Sequence, residues 1–156
     1  ALHSLPARDD LVMRFLLRLE TLEGSTLYKP RGGQMLGHFE GTLAAFIRGT
    51  VFQGLEKNMT PLAFGDLTFS GAFLLETLPI TLFLIAQGLD DPERGICNAV
   101  NYTRDNDTIA SLVASAMGAI HGCEAFQEEW ISNLTGRTTE NDDGYVQALI
   151  DQACKA

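Results

Sequence analysis

The chain has 156 residues, of which 46% are hydrophobic and 20% charged, with a formal net charge of −9. That composition supports one packed core and excludes a disordered tail. The acidic balance argues against nucleic acid as a partner, because its phosphates would be repelled.

Cys97, Cys123 and Cys154 are odd in number, widely spaced and without a C-x-x-C pair. A zinc cluster is therefore not expected, and they read as reduced, mostly buried thiols. The opening ALHSLPARDD has no long apolar run behind a basic start, so no secretory signal is expected. The most apolar stretch, Ala72 to Ala86, is interrupted by Glu76 and Pro79 and is shorter than the roughly 20 residues of a bilayer span. No membrane association and a cytoplasmic location are expected. The N-x-[ST] triplets at Asn58, Asn101, Asn106 and Asn133 then read as accidents of composition.

In chain order, Asp9 and Asp10 are placed to cap a helix with Leu11, Val12, Phe15, Leu19 and Leu22 at helical spacing, stopped by Gly24. Gly24 to Gly37, with Pro30, Gly32 and Gly33, reads as a loop. A second helix is predicted from Gly37 to Glu56, with Phe39, Leu43, Phe46, Ile47 and Val51 on one face. Lys57 to Phe69, with Pro61 and Gly65, reads as irregular. Ser70 is placed to cap a third helix through Gln87, apolar nearly all round and therefore central, with a kink or break at Pro79. Asp91-Pro92 is a cap followed by a first-turn proline and predicts a helix carrying Ile96, Cys97 and Val100.

Asp107 is predicted to open the next helix, with a stripe of Ile109, Leu112, Val113, Ala116 and Ile120, ended by His121 and Gly122. Its remaining positions are small (Ala110, Ser111, Ala114, Ser115, Gly118, Ala119), which permits close helix approach and places it at the centre of a bundle. Two short helices follow, one with Phe126, Trp130, Ile131 and Leu134, the other with Tyr145, Val146, Leu149 and Ile150. No segment alternates with a period of two. The expected fold is all-α, with 1–156 as a single domain.

The string that carries chemistry is Asn101-Tyr102-Thr103-Arg104-Asp105-Asn106-Asp107-Thr108. Two carboxylates two residues apart, with a hydroxyl beside them, suit a hard divalent cation. Asp and Asn before a helix are equally ordinary capping residues. The glycine and later glutamate of an EF-hand loop are missing. Arg104 reads either as a partner for phosphate or as a solvated arginine.

The order of elements around that string resembles the C-terminal part of the ADP-ribosylglycohydrolase family, which includes the dinitrogenase-reductase-activating glycohydrolases. The resemblance is strongest over 70–137. It rests on Glu76-Thr77-Leu78-Pro79, Leu89-Asp90-Asp91-Pro92, Asn98-Ala99-Val100-Asn101, Asp105-Asn106-Asp107-Thr108-Ile109-Ala110 and Gly118-Ala119-Ile120-His121-Gly122. It implies a compact orthogonal helical bundle and hydrolysis of the bond joining ADP-ribose to a modified side chain or related acceptor. It implies a two-metal centre of Mg²⁺ or Mn²⁺, with Asp105, Asp107 and Thr108 at the metal-ligand positions. It also places Ser70, Gly71 and Ala72 near the ADP-ribose. The implied partner is an ADP-ribosylated protein or an ADP-ribose-like small molecule.

Two departures qualify what the resemblance implies. The family's paired glycines before the first aspartate are Thr103 and Arg104 here. Its Gly-Asp-x-x-Gly and Thr-Asp-Asp-Thr motifs do not occur in the chain; Asp9-Asp10, Asp90-Asp91 and Asp142-Asp143 lack the threonines. The expectation is that this chain supplies part of the dimetal site. A missing N-terminal half or a partner chain would supply the rest and cover an apolar face. The alternative is a non-catalytic relative that binds ADP-ribose-like ligands or serves structurally.

Elsewhere, His38 and His121 lie near predicted helix ends and read as structural. His3 has no predicted partner. Arg31-Gly32-Gly33-Gln34 lacks the lysine of a P-loop and reads as a turn close to substrate. Trp130 reads as a core anchor.

Overall fold

The computed structural model describes residues 7–29, 31, 39–132 and 152. Within them the protein is all-helical. Seven α-helices are described: α1 (Arg8–Glu23), α2 (Leu43–Glu56), α3 (Pro61–Thr68), α4 (Leu74–Gln87), α5 (Pro92–Tyr102), α6 (Asn106–His121) and α7 (Glu128–Ser132). No strand is found among the described residues, only an isolated antiparallel bridge between Tyr28 and Gly41. The chain divides into two compact units, Ala1–Gly122 and Cys123–Ala156.

In the first unit α4 is the central element, packed against α1, α2, α3, α5 and α6. It is buried on nearly every side, from Leu75 to Ala86, as its continuous apolar sequence requires. Pro79 lies inside the helix, which continues through it. Residues 70–73 precede α4 as an irregular turn, so Ser70 does not cap it.

The helix ends show which local signals prevailed. α1 begins after Ala7 without a side-chain cap, and Asp9 and Asp10 lie in its first turn. There their charges favour the helix dipole instead. Val12 and Leu16 are its buried residues, while Leu22 is exposed. α2 starts at Leu43 rather than Gly37 because Thr42 accepts from the Ala45 amide. The Glu23 carboxylate, at the end of α1, accepts from the Leu43 and Ala44 amides at 2.8 and 3.0 Å. One side chain thus satisfies two of the amides a helix start leaves unpaired.

α3 occupies the stretch read as irregular. Thr60 caps it through the Ala63 amide, and Pro61 sits in its first turn, where a proline sacrifices no hydrogen bond. Asp91 caps α5 through the Arg94 amide.

α6 buries Ile109, Val113 and Met117. Ser111, Ser115 and Ala119 are exposed, and α6 packs chiefly on α5 and α4. The central position expected for it belongs to α4 alone, because small side chains permit close approach without driving it. Large apolar residues left exposed include Leu17 and Leu22 on α1, Leu27 beyond it, Val100 and Tyr102 on α5, and Leu112 on α6. Cys97 is half-buried but Cys123 is exposed, so these two thiols are less buried than expected; Cys154 lies outside the described residues. No described helix is long and apolar enough to cross a membrane.

The second unit contains a 3-10 turn, Cys123–Ala125, and α7, with Trp130 half-buried. The helix expected around Tyr145 to Ile150 lies outside the described residues, as do His3 and His38.

Phe64 of α3 stacks on Phe83 of α4, with ring centroids 4.1 Å apart and planes within 4°. Gly54 of α2 faces this pair: a Cβ there would lie 2.5 Å from the Phe64 ring. The absence of a side chain lets α2 close over the stacked rings. Gly54→Val is expected to lower stability by about 1–3 kcal/mol through overpacking, which outweighs the small gain in helix propensity. A lower urea midpoint with an unchanged m-value checks this.

Candidate functional site

Two turns build the candidate site: residues 69–73 between α3 and α4, and residues 103–105 between α5 and α6. α5 ends where the Thr103 hydroxyl donates to the Ala99 carbonyl at 2.6 Å. The chain then reverses into α6, whose N-cap is Asp105. The Asn106 side chain turns back and donates to the Val100 carbonyl at 3.2 Å.

The two turns are joined by main-chain hydrogen bonds. The amides of Arg104 and Asp105 both donate to the Ser70 carbonyl, at 3.2 and 3.1 Å. The Arg104 amide also approaches the Ser70 hydroxyl at 3.3 Å. Ser70 is 2% exposed. Phe69 and Ser70 both have positive φ, 71° and 41°, a left-handed conformation that non-glycine residues adopt at some cost. Two such residues in succession turn the Ser70 carbonyl toward the α5–α6 turn. The Thr77 hydroxyl donates to the Gly71 carbonyl at 2.7 Å.

At the start of α6, the Thr108 hydroxyl donates to Asp105 Oδ1 at 3.2 Å. Asp105 Oδ2 is buried and has no hydrogen-bond partner among the described residues. A buried carboxylate oxygen without a partner carries an uncompensated desolvation cost. Asp107 and Thr108 lie exposed in the first turn.

Arg104 lies over the Phe69 ring, 4.3 Å from its centroid, and forms an ion pair with Asp66 of α3 at 3.6 Å. Both side chains of that pair are more than half exposed, so it contributes little to stability. Its guanidinium remains open to solvent beside the site.

Of the residues singled out in the sequence, Ser70, Arg104, Asp105 and Thr108 are brought together by these bonds. Gly71 is in the same turn, and Ala72 is its exposed neighbour. Arg31, which opens the glycine-containing stretch, sits over the Phe73 ring at 4.6 Å and donates to Glu76 at 3.2 Å. Gly32, Gly33 and Gln34 lie outside the described residues. His121 is in the last turn of α6, away from the Asp105 end. Asp66, Phe69 and Glu76 were not singled out. Glu76 entered only as an interruption of the apolar run and as the first residue of the Glu76-Thr77-Leu78-Pro79 stretch, without a role at the site; Asp66 and Phe69 carried no local sign.

Divalent-cation chemistry at this point fits the donor set in part. The unpartnered Asp105 oxygen, the Asp107 carboxylate and the Thr108 hydroxyl are hard oxygen donors on one short segment. Among the described residues no three His, Cys, Asp or Glu side chains gather about one point. Of the three donors, the Thr108–Asp105 hydrogen bond joins two, and Asp107 is exposed in the same turn. A cleft of about 400 Å³ lies elsewhere, between Arg8 and Asp9 of α1 and Phe52, Leu55 and Glu56 of α2. No hydroxyl side chain lines it.

A family model described as ADP-ribosylglycohydrolase matches residues 16–155. No curated protein and no solved structure matches the chain.

Ser70→Val is expected to destabilise the protein by about 1–3 kcal/mol, because a β-branched side chain tolerates φ near 41° poorly. Chemical denaturation checks the magnitude. Ser70→Ala, which removes only the weak hydroxyl contact, is expected to cost about 1 kcal/mol or less.

Proposed function

Since the chain belongs to the ADP-ribosylglycohydrolase family, we propose that it takes part in metal-dependent hydrolysis of the glycosidic bond between ADP-ribose and a modified protein side chain or related acceptor. The observation that carries this reading is the buried, unpartnered Asp105 Oδ2 at the start of α6, beside the turn that Ser70 holds.

Asp105, Asp107 and Thr108 would hold Mg²⁺ or Mn²⁺ from one side, with water or residues beyond those described completing the shell. When bound, the cation supplies orientation of ribose hydroxyls and water and stabilises developing negative charge. The chain's own groups have distinct tasks. Thr108 donates to Asp105 Oδ1 and so orients the carboxylate. The N-terminus of α6 favours anionic groups of the ligand. Arg104, parked on Phe69 with only a long contact to Asp66, is free to exchange that contact for a phosphate oxygen. Ser70, Gly71 and Ala72 would lie beside it, with Ala72 the exposed member of the three.

The second reading, binding of ADP-ribose-like ligands without turnover, is favoured by the incomplete gathering of ligands noted above. Both readings are tested with the full-length protein and an ADP-ribosylated protein substrate in Mg²⁺ or Mn²⁺. Release of ADP-ribose, reduced about 100-fold or more by Asp107→Ala or by chelation, is the expected result. Calorimetric binding of ADP-ribose with no release would establish the second reading in its place. Neither release nor binding would overturn both.

A further inference from the structure

Glu76 is a buried carboxylate, 1% exposed, in the first turn of α4. A carboxylate so placed is unfavourable unless its oxygens are paired, and the pairing here is specific. Glu76 Oε2 accepts from the Phe73 amide at 3.4 Å and from Arg31 at 3.2 Å. The same oxygen lies against Gly71, so closely that a Cβ on Gly71 would collide with it. Phenylalanine has no side-chain acceptor to complete the reciprocal half of a capping box, so the carboxylate bond is what holds the Phe73 amide. The next residue, Thr77, anchors the Gly71 carbonyl.

The turn that Glu76 holds is the turn that holds Asp105. Phe73 and Gly71 are fixed by the first turn of α4. Ser70, one residue earlier, accepts from the amides of Arg104 and Asp105. We propose that Glu76 is a positioning residue for Asp105: its carboxylate, clamped by Arg31, fixes the 70–73 turn and through Ser70 sets where the unpartnered Asp105 oxygen stands. The consequence for cation binding rests on the reading of Asp105 as a ligand; the mechanical coupling does not.

Amide hydrogen exchange on the full chain tests the coupling, with Mn²⁺ titration followed by electron paramagnetic resonance as the second readout. In Glu76→Gln the charge that Arg31 clamps is lost while the side chain keeps its size. The Arg104 and Asp105 amides are expected to exchange about tenfold faster, while amides in α2 such as Val51 keep their protection. Mn²⁺ affinity is expected to fall about tenfold, as it does when groups supporting a ligand are removed. Arg31→Ala changes an exposed side chain, so it keeps the test open if Glu76→Gln fails to fold. The same pattern is expected there, with a smaller amplitude.

Faster exchange at Phe73 with unchanged protection at Arg104 and Asp105 would overturn the proposal. Uniform loss of protection across α2 and α4 would also overturn it, by showing a general structural role. If the wild-type chain binds no Mn²⁺, the metal reading fails, and the exchange result alone decides whether Glu76 positions Asp105.

Discussion

A single carbonyl oxygen, that of Ser70, joins the two turns on which the candidate site depends. It receives the amides of Arg104 and Asp105, and it is aimed there by left-handed conformations at Phe69 and Ser70. Such conformations persist only where the surroundings over-determine them. Here the surroundings are α3 ending at Thr68, α4 beginning at Leu74, and a buried Glu76 drawing the intervening turn inward. Strain in the main chain and burial of a charge, each unfavourable alone, meet at one place and support a single arrangement. Costs of this kind concentrate at functional sites.

The helical architecture was largely legible because its signals are local. Asp91-Pro92 announced α5 by cap and proline chemistry, and the apolar run from Ala72 announced a central helix. The end of α6 at His121 and Gly122 was likewise read directly. α3 was missed for a reason that can be named: Pro61 and Gly65 were weighed as breakers, whereas Thr60-Pro61 is a start signal of the same kind as Asp91-Pro92. The small residues of α6 misled in the other direction. They allow intimate packing, but only Ile109, Val113 and Met117 supply the apolar area that drives it.

The site was legible in part. Asp105 and Thr108 share one short segment, and their contact follows from spacing at a helix start. The union of Ser70 with Arg104 was not available from spacing, since 34 residues separate them. Ser70 was read as a cap because serine before an apolar run usually is one. The structure gives its polar atoms to the neighbouring turn instead, and leaves the Phe73 amide to Glu76. Asp66 illustrates the same limit. As one acidic residue in a stretch read as irregular it looked ordinary, and only the close approach of α3 to the end of α5 brings it to Arg104.

The Glu23 cap on α2 has a bearing on how such a scaffold diversifies. α2 is oriented by a carboxylate at the end of α1 that grips the amides of Leu43 and Ala44, and the Tyr28–Gly41 bridge closes the intervening segment from the other side. The ends of the segment between Lys29 and Phe39 are thereby fixed, and Arg31 within it is tied to Glu76 of α4. Lengthening a closed segment carries only a slowly growing entropic penalty. A change of length between these anchors would leave the join of α1 to α2 in place, provided that Arg31 still reaches Glu76.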